Sequence, residues 1–358
     1  MRAVKMKSRS NNDSRIAPLD GWRTVSVVLV IFSHLMTKSS IAINVPGEFG
    51  RAVIMPILNE CGSLGVSIFF VISGYVITSG LIREDGRNGR ISLLSFYLRR
   101  GFRILPPLMM YVIAILALAH ARIIPSESAE VVKALSFTCN LTDCGGWFGG
   151  HTWSLAYEEQ FYLVIPLLFL LCWKTNSLLF FVLPAVLGVI TLCAYPFNEH
   201  VADFFGHFVA IATGVAWATR EILVLDICRR FHKYTAVLAP IMLIAAMRLS
   251  NTRYSQVSAC ISPTIIAFIL VRSTFIDTSI ANKLSTSWIT YAGRISYSIY
   301  LWQQLTTFAF PGARFSFYFI STIICLLWAA ASYKFVEAPL IKISHSISRR
   351  VSPIVGAS

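Results

Sequence analysis

Arg23 and His34 are the two residues of this chain whose types and spacing most directly suggest chemistry. They are eleven residues apart across an apolar run, and eleven helical steps make almost three full turns, so both side chains would share one face of a helix. At about 1.5 Å per residue they are roughly 16 Å apart along the helix axis. If Arg23 marks a membrane surface, His34 lies near the bilayer midplane, where an ionisable side chain is usually functional. The alternative is a histidine that hydrogen-bonds a neighbouring helix for packing alone.

Three arginines, Arg99, Arg100 and Arg103, follow one another closely at the start of a later apolar segment. Arg100 and Arg103 are three residues apart and therefore share a helix face. Guanidinium groups bind phosphate through paired hydrogen bonds, so this cluster would suit a polyphosphate ligand. The alternative is that the arginines anchor the segment at anionic lipid headgroups, and the spacing taken alone favours anchoring.

Two adjacent carboxylates, Glu158 and Glu159, stand at the start of another apolar segment. Neighbouring helix positions project about 100° apart, so we expect at least one of the two to face the interior of a helix bundle. A carboxylate there could orient or recharge a histidine. The alternative is a favourable interaction of both acids with the helix dipole.

Glu337 lies at the inner end of the last apolar segment. Lys334 is at helix spacing from it and would form a local ion pair. The alternative is that Glu337 meets the arginines that we expect at the same membrane face.

The elements that must position these residues are apolar and long. The chain has 358 residues, 56% of them hydrophobic and only 13% charged, whereas a soluble domain carries roughly 25% charged residues. About ten segments are long enough to cross the hydrocarbon layer of roughly 30 Å. We therefore predict one all-α domain, a polytopic membrane helix bundle. The segments are 24–44, 62–82, 104–121, 153–173, 178–196, 201–219, 235–249, 257–276, 289–309 and 315–335.

Lysine and arginine are distributed unevenly along the chain. With a cytoplasmic N-terminus and alternating loops, 24 of the 31 basic residues fall in cytoplasmic segments. This bias follows the positive-inside rule and predicts that both termini are cytoplasmic. No small-residue cleavage site follows the first apolar segment, so we expect that segment to be retained as a span. The net charge of +14 would also suit a nucleic-acid-binding protein, but without a soluble domain to form a basic groove we exclude nucleic acid as a partner.

Small residues and cysteines are interpreted as structural. The small residues between Gly65 and Tyr75 would let helices approach closely and shape a cavity. Cys139 and Cys144 flank four residues of a predicted outside loop, so a local disulfide would form there if that side is oxidising. The remaining cysteines lie mostly in apolar segments as small fillers, and no Cys or His spacing is typical of a metal site.

Taken together and in this order, six blocks resemble the acyltransferase 3 family of integral membrane acyltransferases. The resemblance runs from about Arg15 to Glu337 and is to the stand-alone form, without an added hydrolase-like domain. The blocks are Arg23 to His34, Gly65 to Tyr75, Arg100 to Arg103, Trp153 to Glu158, Ser296 to Trp302 and Phe335 to Glu337.

The resemblance implies transfer of an acyl group, usually acetyl, from acyl-CoA to a hydroxyl of a polysaccharide, O-antigen or lipid-linked oligosaccharide. Acetyl-CoA would be a donor substrate, and no cofactor would be bound permanently. The implied location is the inner (cytoplasmic) membrane, as a multi-pass protein in the lipid bilayer. The implied domains are a disordered cytoplasmic tail (1–15), the acyltransferase 3 transmembrane domain (16–340) and a cytoplasmic C-terminal tail (341–358).

The implied site residues divide by role. His34 would be the general base and Glu158 would assist it or orient the acceptor. Acyl-CoA would be held by Arg23, Arg100 and Arg103, and substrate contacts would come from Trp153 and Glu337.

Two residues depart from the family pattern. Gln303 stands where the family often has histidine, and Ala338 stands where it often has a basic residue. The resemblance therefore carries no role over to either position.

The main alternative is a secondary transporter or flippase for a glycan or small molecule, which would also have about ten spans and buried charges. Such proteins often show inverted repeats, and we find none here. A membrane sensor or scaffold would leave His34 and the arginines without a role. The sequence leaves the acceptor, the acyl donor and the oligomeric state open, a homodimer included.

Overall fold

The computed structural model describes residues 16–38, 55–125, 128–142, 144–250, 252, 254–308 and 315–351. Every regular element within these ranges is helical. The predicted tail 1–15, the end of the first predicted span (39–44) and residues 352–358 lie outside them. In chain order the helices are α1 (Ala17–Lys38), α2 (Met55–Asn88), α3 (Leu93–His120), α4 (Ser128–Leu135), α5 (Trp147–Gly150), α6 (Trp153–Cys172), α7 (Leu178–Ala194), α8 (Glu199–Thr219), α9 (Glu221–Arg230), α10 (His232–Ser250), α11 (Ser255–Val271), α12 (Thr278–Leu284), α13 (Ser287–Arg294), α14 (Ser296–Thr306), α15 (Phe315–Ser332) and α16 (Ala338–Val351).

The predicted all-α membrane bundle is confirmed. Within the described ranges, eight helical segments are long and apolar enough to cross a membrane, and α7 is a shorter apolar helix. Large apolar side chains point outward, such as Leu171 on α6 and Leu327 on α15, as suits a surface that faces lipid. The predicted span 289–309 is divided between α13 and α14, which meet at Ile295. The full number of spans stays a prediction.

Helix α1 is packed closely on two sides. A β-carbon added at Gly65 would collide with the Ser26 carbonyl of α1, so α2 approaches the α1 backbone directly. On another side, Gly293 of α13 faces the Asp20 carbonyl in the same way. The helix that carries both residues of the first motif is therefore held in place by backbone contacts.

Helices α2 and α8 cross at two glycines. Gly74 faces the Ile211 carbonyl, and Gly214 faces the Val71 carbonyl and the Tyr75 amide. The expectation that small residues allow close approach is thus confirmed at Gly65 and Gly74. The crossing holds the middle of α2 tightly, and α2 forms one wall of the cavities described below.

Replacing Gly214 by alanine is expected to lower the thermal unfolding midpoint of the detergent-solubilised protein. The added methyl group meets backbone atoms that cannot rotate away, and overpacking of this kind costs about 1–3 kcal/mol. Gly86→Ala is the matched control, because Gly86 of α2 has open space around its α-carbon. An equal effect of the two substitutions would show that the crossing is not close.

Short helices complete the end of the bundle beyond His34. Cys139 and Cys144 are joined by a disulfide. Glu130 of α4 lies under the backbone of α5 and accepts a hydrogen bond from the Gly149 amide.

At the other end of the bundle, α16 continues through the predicted C-terminal tail as far as Val351. It packs against α3, where Ser348 and Ser95 exchange hydrogen bonds.

Candidate active site

His34 contacts two elements that are distant in the sequence. Its Nδ1 atom lies 3.1 Å from the Gln303 Oε1 atom of α14. The Trp147 ring of α5 lies edge-on to the imidazole, with 5.4 Å between ring centroids. The imidazole is half-buried. A hydrogen bond to another helix also fits the packing alternative, so the function of His34 depends on what surrounds it.

Trp147 is fixed to α14 by a reciprocal pair of hydrogen bonds. Its Nε1 atom donates to the Gln304 carbonyl at 2.9 Å, and the Gln304 Nε2 atom donates to the Trp147 carbonyl at 2.7 Å. These two hydrogen bonds therefore fix α5 against α14 at the point where both helices contact His34.

Arg23 and His34 lie on the same uninterrupted helix, as the spacing predicts. The candidate span of this helix runs from Ala17 to Met36. The residues that follow, 39–54, lie outside the described ranges, so the depth of His34 in the membrane stays a prediction. The helix begins before Arg23, which is paired with Asp20 at 3.1 Å.

The arginines converge on one large cavity of about 610 Å³ at the end of the bundle opposite His34. Among the described residues that line the cavity, six are arginines and only two are acidic, Asp20 and Glu84, which pair with Arg23 and Arg99. The cavity therefore carries a net positive charge. The cationic side chains that line it are Arg23, Arg83, Arg87, Arg99, Arg100 and Arg103.

Arg100 is oriented by aromatic rings. Its guanidinium lies 5.0 Å from the centre of the Tyr162 ring and 5.9 Å from that of Phe96. Such contacts hold a guanidinium while leaving its N–H groups available to an anion.

A second, small cavity of about 40 Å³ lies between the arginines and the histidine. Its α1 wall is formed by Ser26, Val27 and Val30, the residues that follow Arg23 and precede His34. Glu158 forms part of the opposite wall. One face of α1 thus carries, in order, Arg23 of the basic cavity, the residues of this small cavity and His34.

Glu158 is buried and bonded to a serine of α2. Ser73 Oγ donates to Glu158 Oε1 at 2.5 Å and lies 2.9 Å from the Tyr162 hydroxyl. Through Tyr162 this chain of contacts reaches Arg100. The sequence analysis offered Glu158 as a group that orients the imidazole, but the carboxylate bonds Ser73, and the amide of Gln303 is the group next to His34 Nδ1.

Glu337 is buried beside α14, where it accepts a hydrogen bond from Ser298 Oγ. The positive charge of Arg103 acts on it, whereas Lys334 lies over the Phe335 ring at 5.3 Å. Among the described residues Glu337 forms an ion pair neither with Lys334 nor with an arginine, and its hydrogen-bond partner is Ser298.

Trp153 lies at the other end, in an open cavity of about 450 Å³ that it shares with Trp147. Its ring packs edge-on against His207 at 4.9 Å and Phe70 at 6.4 Å. Trp147 therefore contacts both this cavity and the His34 ring.

The sequence analysis missed several side chains that complete these contacts. Gln303 lies 269 residues from His34, and Ser73 lies 85 residues from Glu158. Trp147 and Tyr162 had no assigned role. Only the fold brings these residues together, so no local pattern could have revealed them.

Comparisons with known proteins agree with this architecture. Residues 16–334 match a family described as an acyltransferase domain, Acyl_transf_3. A Staphylococcus aureus (strain COL) protein provisionally named an O-acetyltransferase is 28% identical over 91% of this chain and 57% of its own length. The O-acetyltransferase OatA of S. aureus (strain NCTC 8325) is 27% identical over 90% of this chain and 57% of its own length. No solved structure matches the chain.

The chain thus spans little more than half the length of these relatives. The family match, in contrast, covers most of the chain and includes His34, Glu158 and the arginine cavity. Together with the bundle of apolar helices, it identifies this chain as a multi-pass membrane protein that belongs to the acyltransferase 3 family.

Proposed function

We propose that the protein transfers an acyl group, most simply acetyl, from acyl-CoA to a hydroxyl of a cell-surface or lipid-linked carbohydrate. The observation that carries the proposal is the single face of α1 on which residues of the basic cavity, residues of the small cavity and His34 succeed one another. The names of the relatives, which give O-acetyl transfer, support the same reaction.

The basic cavity suits the donor. Acyl-CoA carries several phosphates, and Arg23, Arg100 and Arg103 present guanidinium groups that bind phosphate through paired hydrogen bonds. The cavity volume of about 610 Å³ lies within the range of small-molecule sites. The positive-inside bias predicts that this end is cytoplasmic, on the side where acyl-CoA is found. The thioester arm would extend from there along α1 toward His34, and we therefore propose the inner membrane as the location.

The aromatic cavity suits the acceptor. Trp147 and Trp153 line an open space next to the imidazole, at the end away from the arginines. Indole rings offer an apolar face and one polar N–H group, a combination that fits the mixed surface of a sugar. The acceptor would enter from the far side of the membrane and meet the thioester near His34.

The proposed reaction uses the neutral imidazole of His34 as its base. His34 takes the proton of the acceptor hydroxyl as the oxygen attacks the thioester carbonyl. A carbon–oxygen bond forms, the tetrahedral intermediate collapses, and the carbon–sulfur bond breaks. The CoA thiolate then takes the proton from the imidazolium, which restores the base. Holding donor and acceptor in two cavities on either side of the imidazole would supply much of the rate.

The test uses the full chain purified in detergent or nanodiscs, with labelled acetyl-CoA and a polysaccharide fraction from the source organism's envelope. We expect label to appear in an ester on the polysaccharide without any membrane gradient. Gradient-driven movement of a glycan in liposomes, with no covalent product, would instead support a transporter. Failure of a monodisperse, correctly folded preparation to transfer acetyl would overturn the proposal.

A further inference from the structure

Gln303 is a fully buried amide placed against the imidazole. Its side chain has 0% exposure, and its Oε1 atom lies 3.1 Å from His34 Nδ1. Its Nε2 atom has no hydrogen-bond partner among the described residues. A buried donor without a partner costs about 1–3 kcal/mol.

The amide has little freedom to move. The backbone carbonyl of Gln303 accepts hydrogen bonds from the Thr306 and Thr307 hydroxyls, both at 2.9 Å. The next residue, Gln304, is bonded reciprocally to Trp147. The backbone on both sides of the side chain is thus fixed, and the amide is presented to His34 in one place.

We propose that Gln303 is a positioning residue that sets the tautomer of His34. A neutral imidazole carries one N–H group, and the other nitrogen accepts. If Nδ1–H donates to the Gln303 oxygen, Nε2 is the nitrogen without a proton and is the atom that receives the acceptor's proton. The opposite tautomer would set the Nδ1 lone pair against the amide oxygen, which is repulsive. This inference rests on the proposed function only in naming which proton Nε2 takes.

The amide could also be turned, with its nitrogen donating to Nδ1. In that arrangement the imidazole proton would be on His34 Nε2, so His34 Nε2 could not take the proton of the acceptor hydroxyl. The two orientations differ in their response to glutamate. A carboxylate at position 303 can accept from Nδ1–H but cannot donate to Nδ1, so Gln303→Glu keeps the arrangement that we propose and destroys the turned one.

Two variants and one control test the proposal in the full-length protein. Gln303→Glu adds a carboxylate that stabilises the charged imidazole. Gln303→Leu removes the acceptor at similar volume. Gln160→Glu is the control, because Gln160 contacts Asn140 and the Phe137 carbonyl and not the histidine.

The first measurement is the pH dependence of His34 modification by diethyl pyrocarbonate, read by mass spectrometry of the His34 peptide. Peptide mapping separates it from His151, the buried histidine that interacts electrostatically with His34. We expect Gln303→Glu to move the midpoint upward by about one pH unit, Gln303→Leu to move it downward, and Gln160→Glu to leave it unchanged. The same midpoint in all variants would overturn the proposal.

The second measurement is acetyl transfer with thermal unfolding as a check on folding. We expect Gln303→Leu to lose about 10–100-fold, as when the hydrogen-bond partner of a functional histidine is removed. Gln303→Glu should retain transfer above its new midpoint. Equal loss in both variants would overturn the tautomer assignment. If the midpoints move as expected while even the unaltered protein transfers no acetyl group, the proposed function fails and the positioning role stands.

Discussion

Replacing His34 by alanine is expected to lower acetyl transfer by about 10²–10⁴-fold, the usual contribution of a positioned general base. The substitution removes the imidazole of α1, which lies at the end of the bundle opposite the arginine cavity. The affinity for acetyl-CoA should change little, because the arginine cavity lies at the other end of the bundle. The measurement is single-turnover transfer from labelled acetyl-CoA, with donor binding measured separately.

The matched control is His232→Ala, since His232 is exposed at the start of α10. Its transfer rate should equal that of the unaltered protein. His34→Gln provides a milder variant that retains a hydrogen-bonding side chain but cannot take a proton. Undiminished transfer by correctly inserted His34→Ala protein would remove the base assignment and leave only the packing alternative.

Replacing Arg100 by alanine is expected to raise the KM for acetyl-CoA by about 10–100-fold, with a smaller change in the KM for the acceptor. A hydrogen bond to a charged group contributes about 1.5–3 kcal/mol, and about 1.4 kcal/mol corresponds to a factor of ten. Arg100 lines the cavity and lies over the Tyr162 ring. The substitution therefore removes one positive charge from the cavity and opens no further route into the bundle. Initial rates over both substrate concentrations give the two constants.

Arg90→Ala is the control for net charge, because Arg90 is exposed on the loop before α3 and does not line the cavity. The salt dependence of the acetyl-CoA KM should weaken in Arg100→Ala and persist in Arg90→Ala, since each lost phosphate contact removes one screened interaction. Equal loss of affinity for donor and acceptor would instead assign Arg100 a structural role.

Local patterns were enough to predict the apolar helices and the positions of the charged motifs. Arg23 and His34 lie on one helix because an uninterrupted apolar run has nothing to break it. Arg100 and Arg103 line one cavity because helix spacing puts them on one face. These predictions needed only distances within a single helix.

Such patterns could not predict the contacts between helices. The partner of Glu158 is a serine that had been interpreted as packing, and the neighbour of His34 Nδ1 is a glutamine in a departure from the family pattern. Each depends on how α1, α2, α6 and α14 are arranged around one another, which is set by backbone approaches at glycines. The division of 289–309 into two helices was missed for a related reason, since hydropathy alone does not register a break at Ile295.

The small cavity beside Ser26 has a consequence for the cell. Its volume of about 40 Å³ has room for one or two water molecules but not for a pantetheine chain. A cavity of this size gives ions no route along α1, so the ion gradients across the bilayer would be maintained between reaction cycles. If acyl-CoA is the donor, as we propose, its arm would have to separate the helices as it enters and would then fill the opening.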